Sequence, residues 1–346
     1  MTLSPEHTEP AESPLVSICI PTYNRAGMVG DAIRSALAQT CRNIEVLVVD
    51  NASTDGTAEV VASFHDPRLR YVRNDRNLGL FGNCNRCIEL AQGEYLHILH
   101  SDDTIPPEFI HTCVRFLEEH PEVALTFTDT TIFSQGSEVR SPRADRDVIF
   151  FPPEGFRKIL RERSFIACPS VLVRKKVYQE VGVFSLEYPY SSDLYQWLKI
   201  SRVYPITYVH GTSLRYHQSH QSESYRLLFL SPQGYLDTLK ILVQIIGDLG
   251  EARGSFREDV NAAAGRLARD SLYAFWTRAG GMKGYSPDIL AGIALSSSSL
   301  MEPTFPGAIL RKWVWYLAVA GAILLRRVPG VVSLVSRMIR RTETLY

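Results

Sequence analysis

Residues 94–107, EYLHILHSDDTIPP, hold the densest chemistry in this chain of 346 residues. An apolar run stops abruptly at His100-Ser101-Asp102-Asp103. Two adjacent carboxylates and an imidazole at a strand end can ligate a cation, and the same residues can equally form a polar turn. Two more polar clusters end apolar runs. Pro21-Thr22-Tyr23-Asn24-Arg25 follows LVSICI, and Asp50-Asn51 closes IEVLVVD. A carboxylate such as Asp50 at a strand end can accept from a base or a ribose hydroxyl. Cys84-Asn-Arg-Cys87 has CxxC spacing, but no second pair follows and it sits in a helical pattern. Packing is its expected role, with all six cysteines reduced.

The elements that must position these clusters follow from periodicity. LVSICI, IEVLVVD, LRYVRN, EYLHILH and VALTFTDTTIF read as strands. Between them GMVGDAIRSALAQT, DGTAEVVASF, LFGNCNRCIELAQ and PPEFIHTCVRFLEEH read as helices. Ser53, Thr54 or Asp55 is expected to cap the second helix, and Gly93 stands just past the third. Mostly apolar strands alternating with helices predict an α/β fold with a mainly parallel sheet covered on both faces. In such a sheet ligands bind at the carboxyl ends of the strands. The three polar clusters therefore share one edge, where a polar ligand is expected.

Further on, 153–163, 174–181 and SSDLYQWLKISRV (191–203) read as helices, and ITYVHGTSLRYH as a strand pair or hairpin. Helices dominate from about residue 226. The expected organisation is a polar leader over 1–14, an α/β domain over 15–225, a helical region over 226–310 and a basic amphipathic tail over 311–346. In the tail, WVWYLAVAGAILL (313–325) lies between Arg311-Lys312 and Arg326-Arg327. It is too short to span a bilayer and suits a helix lying in the membrane interface, although a buried helix with solvated basic ends would read the same.

Hydrophobic residues make up 45% of the chain and charged residues 21%, ordinary globular values, and the formal net charge is zero. No global field recruits nucleic acid. MTLSPEHTEPAESP lacks the basic start and apolar core of a signal peptide, so a cytoplasmic protein is expected. GxGxxG and GxxxxGK[ST] are absent, which disfavours a dinucleotide enzyme or a P-loop NTPase. A phosphorylated ligand at a carboxylate-lined edge needs charge compensation, and Mg²⁺ or Mn²⁺ held by Asp oxygens supplies it.

Taken in order, VSICIPTYNR, VLVVDNASTDGT, NLGLFGNCNRCIELAQGEY and LHSDD resemble family 2 glycosyltransferases of the GT-A fold over about residues 15–225. That family is inverting: a sugar passes from a nucleoside-diphosphate donor to an acceptor hydroxyl. The resemblance implies that Pro21, Thr22, Tyr23, Asn24 and Arg25 form the first nucleotide-binding loop. Asp50 would recognise the base, with Asn51 where many members carry a second Asp. Asn77 and Gly79 match the family's NxG. Asn83-Cys84-Asn85 stands where an Ala-Arg-Asn triplet is common; Asn85 is retained and the arginine is missing. His100-Ser101-Asp102 lies on the family's DxD, with His100 in place of the first Asp and Asp102 as the implied metal ligand. Asp193, ahead of Trp197, matches the general base of an ED motif, with Ser192 replacing the first acid; Trp197 would face the acceptor sugar or pack in the core. His217 or His220 would reach the metal or the diphosphate. No QxxRW is present, which favours single-sugar addition to a saccharide or lipid-linked acceptor in cell-surface polysaccharide or glycolipid assembly. A nucleotidyltransferase, or a degenerate fold that only binds sugar nucleotides, is the alternative.

Overall fold

The computed structural model describes residues 16–134, 137–140, 143–163, 165–217, 233–278 and a few positions between 293 and 300. The leader, His220 and the basic tail lie outside the described residues. The chain divides into two compact units. The first comprises Met1–Phe151, Ala167–Phe184 and Val203–His217; the second comprises Pro152–Ile166, Ser185–Arg202 and Gln218–Tyr346.

The first unit is built on one mixed sheet. Its strands are β1 (Val16–Thr22), β2 (Ile44–Asp50), β3 (Leu69–Arg73), β4 (Tyr95–Ile98), β5 (Leu125–Ser134), β6 (Ser137–Arg140), β7 (Val148–Phe150), β8 (Val171–Arg174) and β9 (Ile206–His217). Their order is β3-β2-β1-β4-β8-β5-β9-β7, with β6 paired to β5. Strands β3, β2, β1 and β4 run parallel. Strand β8 lies antiparallel between β4 and β5, and β9 is parallel to β5.

Helices α1 (Val29–Leu37), α2 (Thr57–Ala62), α3 (Leu80–Leu90), α4 (Phe109–Glu119) and α6 (Lys175–Val181) cover this sheet. Alternation along β1 decides the layers, since successive side chains point to opposite faces. Val16, Ile18 and Ile20 join Ile33 of α1 and Phe109, Ile110 and Cys113 of α4 in one core. On the other face the Cys19 thiol meets the Cys87 carbonyl of α3. Cys84 and Cys87 are buried and form no disulfide, so the CxxC spacing reflects packing. Gly93 does more than follow a helix end: a Cβ there would stand 2.6 Å from the Ser17 backbone nitrogen. Its own N–H donates to the Ser17 hydroxyl, which donates to Glu45.

Two departures from the sequence pattern matter for the site. ITYVHGTSLRYH is one strand rather than a hairpin. Its register against β5 shifts between Phe127 and Asp129, and Gly211 takes φ 90°, a bulge that bends the strand without ending it. Strand β8 was not legible at all. It is tied to α4 by Arg174, whose guanidinium donates to the carbonyls of Val123, Leu117 and His120 and to the Tyr95 hydroxyl.

In the second unit α5 (Glu154–Glu162), α7 (Ser192–Val203), α8 (Gln233–Leu249) and α9 (Arg257–Arg278) are the described helices. Buried Asp259 of α9 receives Arg157 at 2.8 Å and Arg161 at 2.5 Å, both from α5. Ile241, Leu242, Ile245 and Leu249 form the buried stripe of α8. No helix among the described residues is long and apolar enough to cross a membrane.

Candidate active site

The carboxyl ends of β1, β2 and β4 lie on one edge of the sheet because the three strands are parallel in register. The loops leaving them are joined by hydrogen bonds. Asn24, at φ 52°, donates its N–H to the Ser53 hydroxyl, and its side-chain oxygen accepts from the Thr54 N–H. The Arg25 N–H donates to Thr57 and the Ala26 N–H to Asp55. Asp55 also accepts from the Thr57 N–H, so it closes the start of α2 from one residue before the cap, Gly56. Desolvation opposes ionisation of Asp55, but these hydrogen bonds win and hold its pKa below the usual range. Tyr23 stands out of the loop, 43% exposed, while Pro21 and Thr22 are buried at its base.

Asp50 is wholly buried. Its carboxylate accepts from the Ser53 N–H at 2.9 Å and the Tyr71 hydroxyl at 2.6 Å, with Arg73 Nε at 3.6 Å. Burial and the bond to Asp50 push the Tyr71 hydroxyl far up, so it remains a donor. Tyr71 and Arg73 went unrecognised in the sequence; their spacing of two on a short strand puts both on one face and was the available signal.

Next to Asp50, Asn51 anchors a network of amides. Its Nδ2 donates to Asn77 Oδ1 at 2.8 Å and to the Gly79 carbonyl at 3.2 Å. Its Oδ1 accepts from the Leu78 N–H and from Asn74, which also donates to Asn83. Asn83 in turn reaches the Val49 carbonyl. Gly79 takes φ 77°, which only glycine adopts without strain. Asn85, one turn along α3, is turned away from this network: its amide grips Phe184, donating to the carbonyl at 2.9 Å and accepting the N–H at 3.0 Å.

The third cluster contains His100, Asp102 and Asp103, whose ligand atoms all lie within 4.8 Å of one another. Ser101 is buried in the turn between them. The Asp103 N–H closes the turn on the His100 carbonyl. Strand β9 reaches this turn through paired backbone bonds between Thr104 and Arg215. The His217 N–H then donates to Asp103 Oδ1 at 3.0 Å, while its ring stacks on Phe133 at 5.4 Å. The other Asp103 oxygen is buried without a hydrogen-bond partner. Burial, with the charge of Asp102, pushes the Asp103 carboxyl up, and burial pushes His100 down, toward its neutral, ligating form. Two carboxyl groups and a neutral imidazole, with Asp103 Oδ2 buried without a hydrogen bond 3.8 Å from His100 Nδ1, form an oxygen-rich donor set that fits a hard divalent ion.

These features coincide with a family pattern over residues 17–182, which match the model of Glycosyl transferase family 2. Over that stretch, just under half of its length, the chain is similar to family 2 glycosyltransferases. An uncharacterised glycosyltransferase of Rickettsia felis is 35% identical over 201 residues, covering 56% of this chain and 32% of that protein. The chain thus spans about a third of that relative. The Escherichia coli UDP-Glc:alpha-D-GlcNAc-diphosphoundecaprenol beta-1,3-glucosyltransferase WfaP is 29% identical over 189 residues, 54% of this chain and 70% of that one. Among solved structures, S. aureus TarS 1-349 in complex with UDP-GlcNAc superposes with a TM-score of 0.63 at 18% identity, covering 89% of this chain and 91% of that one. This likeness supports a GT-A fold.

The remaining sequence candidates, Asp193 and Trp197, lie in the second unit. Asp193 opens α7 and accepts the Leu194 N–H at 2.8 Å. Desolvation raises its pKa to about 6. Ser192 is buried, its hydroxyl without a partner. Trp197 is 2% exposed.

Proposed function

We propose that the chain is an inverting transferase that moves one sugar from a nucleoside-diphosphate sugar to a hydroxyl of a saccharide or lipid-linked saccharide, in cell-surface polysaccharide or glycolipid assembly. The observation that carries this reading is the His100, Asp102 and Asp103 cluster, set on the same sheet edge as the loops at Asn24 and Asn51 within a family 2 domain. The exposed Tyr23 ring offers a face to the base, and Asn24, Arg25 and the Asp50–Tyr71 pair shape its recess. Asn51, Asn77 and Gly79 hold the wall beside it. Asp102 and Asp103, with His100, would hold Mn²⁺ or Mg²⁺, which offsets the charge on the leaving diphosphate. Through its backbone His217 fixes Asp103; His220 is a second candidate for the diphosphate.

Asp193 acts as general base. With a pKa of about 6 it is ionised at neutral pH and basic enough to take the acceptor hydroxyl's proton as the anomeric carbon is attacked from the opposite face. The similarity to WfaP, a UDP-Glc:alpha-D-GlcNAc-diphosphoundecaprenol glucosyltransferase, and to TarS in complex with UDP-GlcNAc favours a uridine donor.

The test is calorimetry of UDP, GDP and dTDP with and without Mn²⁺, joined to a transfer assay. Binding of one nucleotide that strengthens with Mn²⁺ is expected, and Asp102→Ala is expected to abolish that gain and lower transfer at least about 100-fold. Metal-independent binding, or full transfer in Asp102→Ala, refutes the assignment. The apolar run 313–325 with its basic flanks supports seating on the inner face of an anionic membrane. Deletion of 311–346 should move the protein from the membrane to the soluble fraction; unchanged fractionation removes that part of the reading.

A further inference from the structure

The second unit contains an open cavity of about 640 Å³ lined by Glu187, Tyr188, Leu239, Lys240, Val243 and Gln244. Small-ligand sites range over about 300–1,000 Å³, so its size suits one to a few sugar rings. None of these residues belongs to the donor-edge motifs. One wall is the segment that runs into α7, and the other is the exposed side of α8.

These walls are fixed to each other. Asp237 of α8 is fully buried and accepts the Tyr190 N–H at 2.8 Å with one oxygen and the Gln233 amide at 2.8 Å with the other. Tyr188 meets Tyr195 of α7 edge to face, with centroids 5.0 Å apart. Tyr195 stands two positions beyond Asp193 in the same helix. Arg202, at the far end of α7, donates to the Asp248 carbonyl of α8 at 3.0 Å. The cavity and the carboxylate assigned as base are therefore carried by one compact unit.

The lining selects the ligand. Leu239 and Val243, with the edge of the nearly buried Tyr188, offer apolar surface to the C–H faces of a ring, and Glu187, Lys240 and Gln244 offer acceptors and donors to hydroxyls. A diphosphate would call for converging cations, and here Lys240 is offset by Glu187. A lipid tail would call for a continuous apolar wall, and half of this lining is polar. We infer that the groove binds the neutral saccharide portion of the acceptor, at sugar units away from the reacting hydroxyl. This deepens the proposed function and rests on it.

Glu187, Lys240, Val243 and Gln244 are exposed, so their substitution leaves the fold intact. The full chain is titrated with cellotriose, maltotriose and chitotriose in the presence of UDP and Mn²⁺. The native chain is expected to bind at least one. Lys240→Ala with Gln244→Ala, and separately Val243→Arg, are expected to weaken that binding at least 10-fold while UDP affinity stays unchanged. A native chain that binds none of the three, or variants that bind like the native chain, overturns the inference. Hydrolysis of UDP-glucose and UDP-GlcNAc by the native chain separates the two readings. Turnover with saccharide binding indifferent to the variants removes the groove alone; groove-dependent binding with no turnover removes the transferase mechanism and leaves the groove.

Discussion

Replacing Asp193 by Asn should make the protein more stable and nearly inactive. The carboxyl has a pKa of about 6 in the folded chain against an ordinary 3.8, because the site desolvates its charge. Folding therefore favours the protonated form. Between pH 3.8 and about 6 the folded state holds more protons than the unfolded state, so stability falls as pH rises through that window. The difference of about 2.2 units corresponds to about 3 kcal/mol at neutral pH, at about 1.36 kcal/mol per unit. The side chain is only partly buried, and water and the helix N-terminus compensate part of the charge, so a gain of about 1–3 kcal/mol is expected. Asn is neutral, keeps an oxygen for the Leu194 N–H, and escapes this cost. Urea denaturation at pH 7.5 should show the full gain, shrinking to about a third at pH 4.5, where the folded wild-type carboxyl is protonated. Transfer should fall at least about 100-fold, the usual contribution of a general base. In the wild type, the rate should drop about tenfold per pH unit below 6. Equal urea midpoints at pH 7.5 would refute the burial argument. Near-native transfer by Asp193→Asn would refute the base.

Two further substitutions probe the donor edge. Asn51→Asp places a carboxylate oxygen against Asn77 Oδ1 and the Gly79 carbonyl, two acceptors that now receive an N–H. Two lost bonds and a buried repulsion should cost about 2–4 kcal/mol by urea denaturation, and an unchanged midpoint would deny the network its role. Gly93→Ala forces a Cβ to 2.6 Å from the Ser17 nitrogen, backbone against which nothing flexible can yield. A loss of at least about 2 kcal/mol is expected, with nucleotide affinity unchanged in the folded fraction; a neutral effect would show that α3 shifts freely.

The parallel half of the sheet was legible because β1 and β2 are buried along their whole length and read as unbroken apolar runs. Strand β8 was not, since four residues between a 3-10 turn and a helix carry no periodicity. Strand β9 misled because Gly211 resembles a turn, whereas its φ of 90° serves a bulge. In the site, residue types marked three clusters that share one sheet edge, but not the partner of each oxygen. Asp50 could not reveal Tyr71 and Arg73, about 20 positions on. Asn85 read as a donor contact, while its amide is spent on Phe184, 99 positions away. Pairings at that separation depend on the sheet order, which the sequence leaves open.

The amides that link Asn51, Asn74, Asn77 and Asn83 have a consequence for measurement. None of them gains or loses a proton between pH 4 and 10, and none carries a charge that salt can screen. The wall they build keeps one shape across buffers in which carboxylates and histidines change state. Along this wall, at least, a titration of turnover meets no change in the scaffold's own charge.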